Sequence, residues 1–291
     1  MDIKTIGSKE ELNKLHEEGK LIGFFYIEND LYHEGPGLNH STLKNIFPPN
    51  TPLDFKFKSQ FKYKSKAKDF GNACHIAAFE PEILDESIVV MPEINRRTKV
   101  GKEEYAEFME ASKGKIVLTE QEVKTLENLK ESMSNHPVVG GLITNSIGCP
   151  EIAGYFKYGK HLCKFKCDYL LFEERVVLDL KTTRHDSPYL FEQDCRKLNY
   201  DTAAAFYCLG LNILTGYDFD FVWVVVEKNP PHKTYLTMPG PDWFERADET
   251  VERALALYDE CTISGEWPGQ TTDIITLDGP KWFVEGGLRW S

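Results

Sequence analysis

Apolar and polar positions change their spacing along the chain in a readable order. Residues 8–20 (SKEELNKLHEEGK) scatter a few apolar positions among charges at helical spacing, and a short apolar strand, LIGFFYI, follows at 21–27. In YHEGPGLNHSTLKNIF (32–47), Pro and Gly mark a turn, and Asn39 or Ser41 is placed to cap a helix. Residues 71–79 (GNACHIAAF) read as a small-residue helix that packs closely on a neighbour. Residues 119–135 form an amphipathic helix, with Thr119 as N-cap and Glu122 completing a capping box.

From Pro150 the spacing turns strand-like. EIAGYFKY (151–158), HLCKFKCDYLLF (161–172) and RVVLDLKTT (175–183) read as three antiparallel strands. Residues 188–214 predict one long helix with a small face at Ala203–Ala205. FDFVWVVVEK (219–228) has the continuous apolar character of a buried central strand. KTYLTM adds a shorter strand, and residues 242–263 a closing helix. Helix, three strands, helix, strand predicts a mixed α/β (α+β) fold whose central mixed sheet is flanked by helices.

Composition narrows the class. The 291 residues are 41% hydrophobic and 12% aromatic, enough for one substantial core, or one core with a smaller lobe, and too apolar for a disordered chain. No run of eighteen apolar residues exists, and the charged N-terminus lacks a signal-peptide stretch, so a cytoplasmic protein is expected. Seven cysteines, an odd number, fit reduced thiols. Cys163 and Cys167 sit on one strand without a second pair, which does not match a zinc or iron–sulfur spacing.

A net charge of −12 counts against a nucleic-acid partner unless cations are concentrated in one groove or supplied as metal. Two segments concentrate them. TPLDFKFKSQFKYKSKAKDFG (51–71) alternates aromatic residues with Lys56, Lys58, Lys62, Lys64, Lys66 and Lys68. It reads either as a solvated arm or as a DNA-facing element. Arg96, Arg97, Lys99 and Lys102 cluster before a helix, as a solvated loop or a phosphate contact.

The hairpin at 161–183 carries the candidate chemistry. With Glu173-Glu174 at its turn, Asp168 lies opposite Asp179 on one face, with Cβ atoms about 5 Å apart. Lys181 shares that face and Lys166 sits across from it. Two adjacent carboxylates repel unless a cation neutralises them, and a hard divalent ion does so while also binding phosphate oxygens. The bland alternative is a charged, solvated face with Lys181 paired to an acid.

LDLKTT, preceded by Asp168 in CKFKCDYLL, resembles the PD-(D/E)XK nuclease superfamily. YHEGPGLNHSTL, GNACHIAAFEPE, PEINRRTKVGKEE, AAAFY and EWP resemble, in order, the RecE-type exonucleases of the exodeoxyribonuclease VIII family. The resemblance runs from about Tyr32 to Trp282, so residues 31–291 are expected to form the nuclease domain and residues 1–30 an extension without an assigned role. It implies an αβββαβ core and magnesium-dependent digestion of linear double-stranded DNA, usually from 5′ ends. It also implies one or two Mg²⁺ per site, with Mn²⁺ a substitute. The 3′-tailed product would pass to a single-strand annealing protein, and the enzyme would be a ring-shaped homo-oligomer, bacterial and of phage or chromosomal origin.

Carried over by position, Asp168 and Asp179 match the metal-ligating acids, with the Leu180 carbonyl a further ligand, and Lys181 matches the catalytic lysine. Glu151 matches an acid that binds metal or positions water, His75 the histidine of a G-x-x-x-H helix, and Tyr207 the tyrosine of a Q-x-x-x-Y element. Arg96, Arg97, Lys99, Lys102 and Lys166 are the expected DNA contacts. The chain departs from the pattern at Ala203, where the family has glutamine; Gln193 is too far upstream to be that residue, though it is a candidate substitute in space. Two alternatives stay open: an endonuclease of the same fold, and a catalytically silent DNA-binding module.

Overall fold

The computed structural model describes residues 3–58, 66–145, 148–271, 273–274 and 276–278. Most of the basic arm (59–65) and the end of the resemblance at Trp282 lie outside these residues.

The first third of the chain runs β1 (Lys4–Ile6), α1 (Lys9–Glu17), β2 (Gly23–Ile27), α2 (Asn29–Glu34), α3 (His40–Leu43), α4 (Pro52–Lys58) and α5 (Lys66–Phe79). Next come α6 (Leu84–Ser87), β3 (Ile88–Val90), α7 (Lys99–Ala111), β4 (Ile116–Leu118), α8 (Glu120–Asn135) and α9 (Val139–Asn145). The last part holds β5 (Cys149–Tyr158), β6 (His161–Leu171), β7 (Val176–Thr183), α10 (Pro188–Leu198) and α11 (Tyr200–Thr215). It closes with β8 (Asp220–Glu227), β9 (Thr234–Thr237) and α12 (Pro241–Ser264). Asn39 caps α3 by accepting from Thr42 N–H at 2.9 Å, and Thr119 and Glu122 form the expected capping box on α8. Among the described residues, no helix is long and apolar enough to cross a membrane.

Seven strands form one mixed sheet in the order β1-β2-β5-β6-β7-β8-β9. β5, β6 and β7 are antiparallel neighbours, and β8 joins β7 in parallel after the α10–α11 crossover. The αβββαβ order is therefore present. Residues 4–27 join the same sheet, because β2 pairs with β5 and β1 with β2. On one face the sheet packs against α11 and α12 around Phe165, Phe206 and Trp223; on the other, α5 and α8 cover Leu178, Leu180 and Val224. Cys163 and Cys167 both belong to the first of these cores. Gly154 and Gly210 make room for Phe165, since a Cβ on either would stand 2.2 Å or 2.6 Å from its ring.

The sequence predicts one helix across 188–214, but there are two. Asn199 breaks it with φ 60° and ψ 44°. Asparagine tolerates this left-handed conformation better than most side chains, which is why the chain turns there.

Candidate metal centre and active site

The register of the β6–β7 hairpin is the expected one: Tyr169 pairs with Leu178 and Leu171 with Val176, across a turn at 172–175 in which Arg175 adopts φ 57°. The ladder ends at Tyr169, one step before the two acids. Instead of a simple cross-strand pair, Asp168 Oδ2 accepts the Leu180 backbone N–H at 2.8 Å, so its carboxylate fills the gap where the ladder stops.

A break in the pleat explains why. Cys149 and Ile152, three residues apart, pack on the same core, and so do Cys167 and Leu170. Strict alternation allows only even spacings on one face. Each strand therefore slips by one, and the slips face each other, because Cys149 pairs with Leu170 and Ile152 with Cys167. Inside them lie Glu151, with φ 49°, and Asp168. Freed from the pleat, both acids meet His75 of α5: His75 Nδ1 is 3.2 Å from Asp168 Oδ2 and 4.0 Å from Glu151 Oε1.

Asp179 and Lys181 alternate with Leu178 and Leu180 and therefore face the α11 side. The Lys181 ammonium contacts Asp179 Oδ2 and sits 5.0 Å above the ring of Tyr200. Tyr207 and His40 line both hollows: the larger cleft of about 880 Å³, which holds His75, Glu151 and Asp168, and the smaller one, which holds Asp179, Lys181 and Ala203. The two halves of the site thus meet at Tyr207.

Three acids, two lysines and a histidine interlock here. Burial works to raise Asp168, but His75, Lys181 and the Leu180 N–H outweigh it and hold the carboxyl below its usual range. Burial, with Asp168 nearby, drives Asp179 upward against the pull of Lys181. Lys181 is raised despite burial, because Asp179 and Asp168 favour its charged form. His75 is likewise raised: burial opposes its charge, and Asp168 and Glu151 overcome that.

His75, Glu151 and Asp168 each offer a donor atom within 4.8 Å of the others. Two carboxylates and an imidazole in its neutral form suit a divalent cation, which would take the place of the ring proton facing Asp168. The residues present fit such an ion.

The remaining expected residues fall elsewhere. Lys166 points into the larger cleft, but its ammonium is 3.0 Å from Glu151 Oε2 and donates to Asn29 Oδ1 at 2.7 Å. Arg96, Arg97, Lys99 and Lys102 are exposed around the start of α7 and line neither hollow; Arg96 stacks on Tyr105. Gln193 is exposed on α10 and reaches neither hollow, so it does not stand in for the glutamine replaced at Ala203. The sequence reading assigned no role to His40, Tyr200 or Asn29. Tyr200 was hidden by the predicted unbroken helix, while His40 lies in the segment YHEGPGLNHSTL, which carries the resemblance without marking that histidine.

A mixed sheet with acids at facing breaks in two central strands, an Asp-x-Lys pair on the next strand, and flanking helices defines the PD-(D/E)XK nuclease class. Residues 41–277 match the family model described as a PDDEXK-like domain of unknown function (DUF3799), and the chain belongs to that family. Among solved structures, the chain is similar to a candidate exonuclease from Eubacterium rectale at TM-score 0.54 and 13% identity, over 87% of this chain and 94% of that one. At that identity the likeness is one of fold. A phage related exonuclease from Haemophilus somnus 129PT matches at 11% identity over 66% of this chain and 95% of that one, with a TM-score of 0.30 too low to support an argument. No curated protein matches the chain.

Proposed function

We propose that this protein is a magnesium-dependent exonuclease that digests linear double-stranded DNA. The observation that supports it best is that the His75, Glu151 and Asp168 donors line one hollow and the Asp179 and Lys181 pair its neighbour, the two sharing His40 and Tyr207. Glu151, Asp168 and His75 would hold Mg²⁺, joined by Asp179 and the Leu180 carbonyl, and Mn²⁺ would substitute. Bound there, the ion would activate water and stabilise the leaving oxygen.

Lys181 acts as a cation in this reading. Two acids hold its proton, which suits an ammonium that polarises the attacking water or steadies charge on phosphorus better than it suits a base. Tyr207, whose hydroxyl burial pushes well above its usual range, stays protonated and is placed to donate a hydrogen bond toward a phosphate. Arg96, Arg97, Lys99 and Lys102 would contact duplex beyond the cleft.

The resemblance carries the finer reading: degradation from 5′ ends, 3′ tails passed to a single-strand annealing protein, and a ring-shaped homo-oligomer. A ring would also reconcile the net charge of −12 with DNA, by turning lysines toward a channel and acids outward. The test is incubation of the purified protein with end-labelled linear duplex and with closed circles, with and without Mg²⁺. Metal-dependent loss of the 5′ label with intact circles is expected. Cutting of circles would make it an endonuclease, and no cutting of either would make it a silent module.

A further inference from the structure

Lys166 does not extend toward open solvent. It leaves β6 between Phe165 and Cys167, which enter the core on the opposite face, and its side chain is 11% exposed. Its ammonium takes one oxygen of Glu151, Oε2, at 3.0 Å, while the other oxygen, Oε1, faces His75 and the donor cluster. Asn29 fixes the ammonium from the far side at 2.7 Å. Two residues earlier on the same face, the buried Lys164 donates to the carbonyls of Tyr32 and Gly35. Asn29 opens α2 and Gly35 ends it, so two lysines of β6 hold this short helix at both ends. All of α2 precedes residue 41, where the family match begins.

Glu151 needs such a hold. Its backbone is left-handed and its ladder is broken, so neither the pleat nor a neighbouring strand orients its carboxylate. A glutamate with three free torsions would otherwise point in several directions. We propose that Lys166 and Asn29 are positioning residues for Glu151: they turn Oε1 toward the cluster and so set the site's affinity for a divalent cation. The segment before the family match then takes part in metal binding through α2. This rests on the reading that the cluster holds such an ion.

Simple charge repulsion makes the opposite prediction, because removing an ammonium beside a metal site should tighten metal binding. The experiment is calorimetric titration of Mn²⁺ into the full chain and its Lys166→Met, Lys166→Arg and Asn29→Ala variants, with thermal melts to check folding. Loss of an outer partner weakens metal sites by about 10- to 100-fold, so Lys166→Met should bind about tenfold more weakly, with Lys166→Arg close to wild type. Asn29→Ala, a change at an exposed position, should weaken binding by a smaller factor of about threefold, and it carries the test should Lys166→Met not fold. Lys166→Met binding as tightly as wild type, or more tightly, would overturn the proposal, as would unchanged binding by a folded Asn29→Ala. Wild-type protein that takes up no Mn²⁺ would instead remove the metal reading on which it rests.

Discussion

The backbone N–H of Leu180 donates to the carboxylate of Asp168 across the point where the β6–β7 ladder stops. One side chain therefore ends the strand pairing, meets His75 and joins the donor cluster. The bond also fixes the backbone of Leu180, the residue between Asp179 and Lys181.

Asp168→Asn should separate these roles. The amide oxygen can still accept from Leu180, so the fold should survive, with a melting temperature within a few degrees of wild type. The negative charge is lost, and with it the partner that most raises the His75 pKa. Activity on linear duplex should fall by at least about a hundredfold. Nuclease assays beside thermal melts check this, and a fully active variant would remove Asp168 from the site.

Lys181→Ala should abolish cutting and change how stability depends on pH. Asp179 already has a folded pKa above its unfolded one, so its carboxylate costs stability as pH rises through that folded value. Without Lys181 the folded pKa climbs further. The variant should therefore lose more stability relative to wild type at pH 8 than at pH 5.5, as urea denaturation at both pH values would show.

His40 moves stability the other way. Burial, with Lys44 and Lys181 nearby, lowers its pKa to about 3, and its Nε2 lies 2.9 Å from the Thr202 hydroxyl. A folded pKa below the unfolded one means that its contribution is complete above about pH 6.5 and is lost as pH falls toward 3. By pH 4 the loss would be on the order of 3 kcal/mol. His40→Gln, which keeps a polar partner for Thr202 but does not titrate, should flatten the acid limb of a stability-against-pH curve. An unchanged limb would show that other groups cause it.

Asn199 offers a backbone test. A β-branched residue is strained at φ 60°, so Asn199→Val should destabilise the protein by about 1–2 kcal/mol, while Asn199→Gly should be nearly neutral. Because Tyr200 lies over Lys181, the valine variant should also lose activity out of proportion to its stability. Melts and assays at a temperature where both variants are folded would separate the two effects.

Much of this was readable in the sequence. Strand-like spacing located β5 to β7 and a continuous apolar run β8, turn residues bounded them, and the hairpin register followed from a turn centred between Glu173 and Glu174. Local patterns also gave the caps at Asn39 and Thr119. What stayed hidden depends on departures from local rules. A period-two pattern cannot announce its own slip, so the side-by-side pairing expected for Asp168 and Asp179 missed the break that sends Asp168 toward His75. Helical spacing across 188–214 continues through Asn199, where a single left-handed residue redirects the chain. Lys166 was legible as a cation near the acids, but its partners come from Glu151 and from Asn29, more than a hundred residues upstream, and no local pattern encodes that distance.

The pairing of β2 with β5 has a practical outcome for anyone trimming this protein to the region that its relatives share. A fragment starting at residue 41 would lose β1 and β2 and leave β5 as a new sheet edge, open where residues 152–155 pair with β2. Such an edge recruits other chains, so the shortened protein should aggregate, and its insolubility would be easily mistaken for a poor choice of host or buffer.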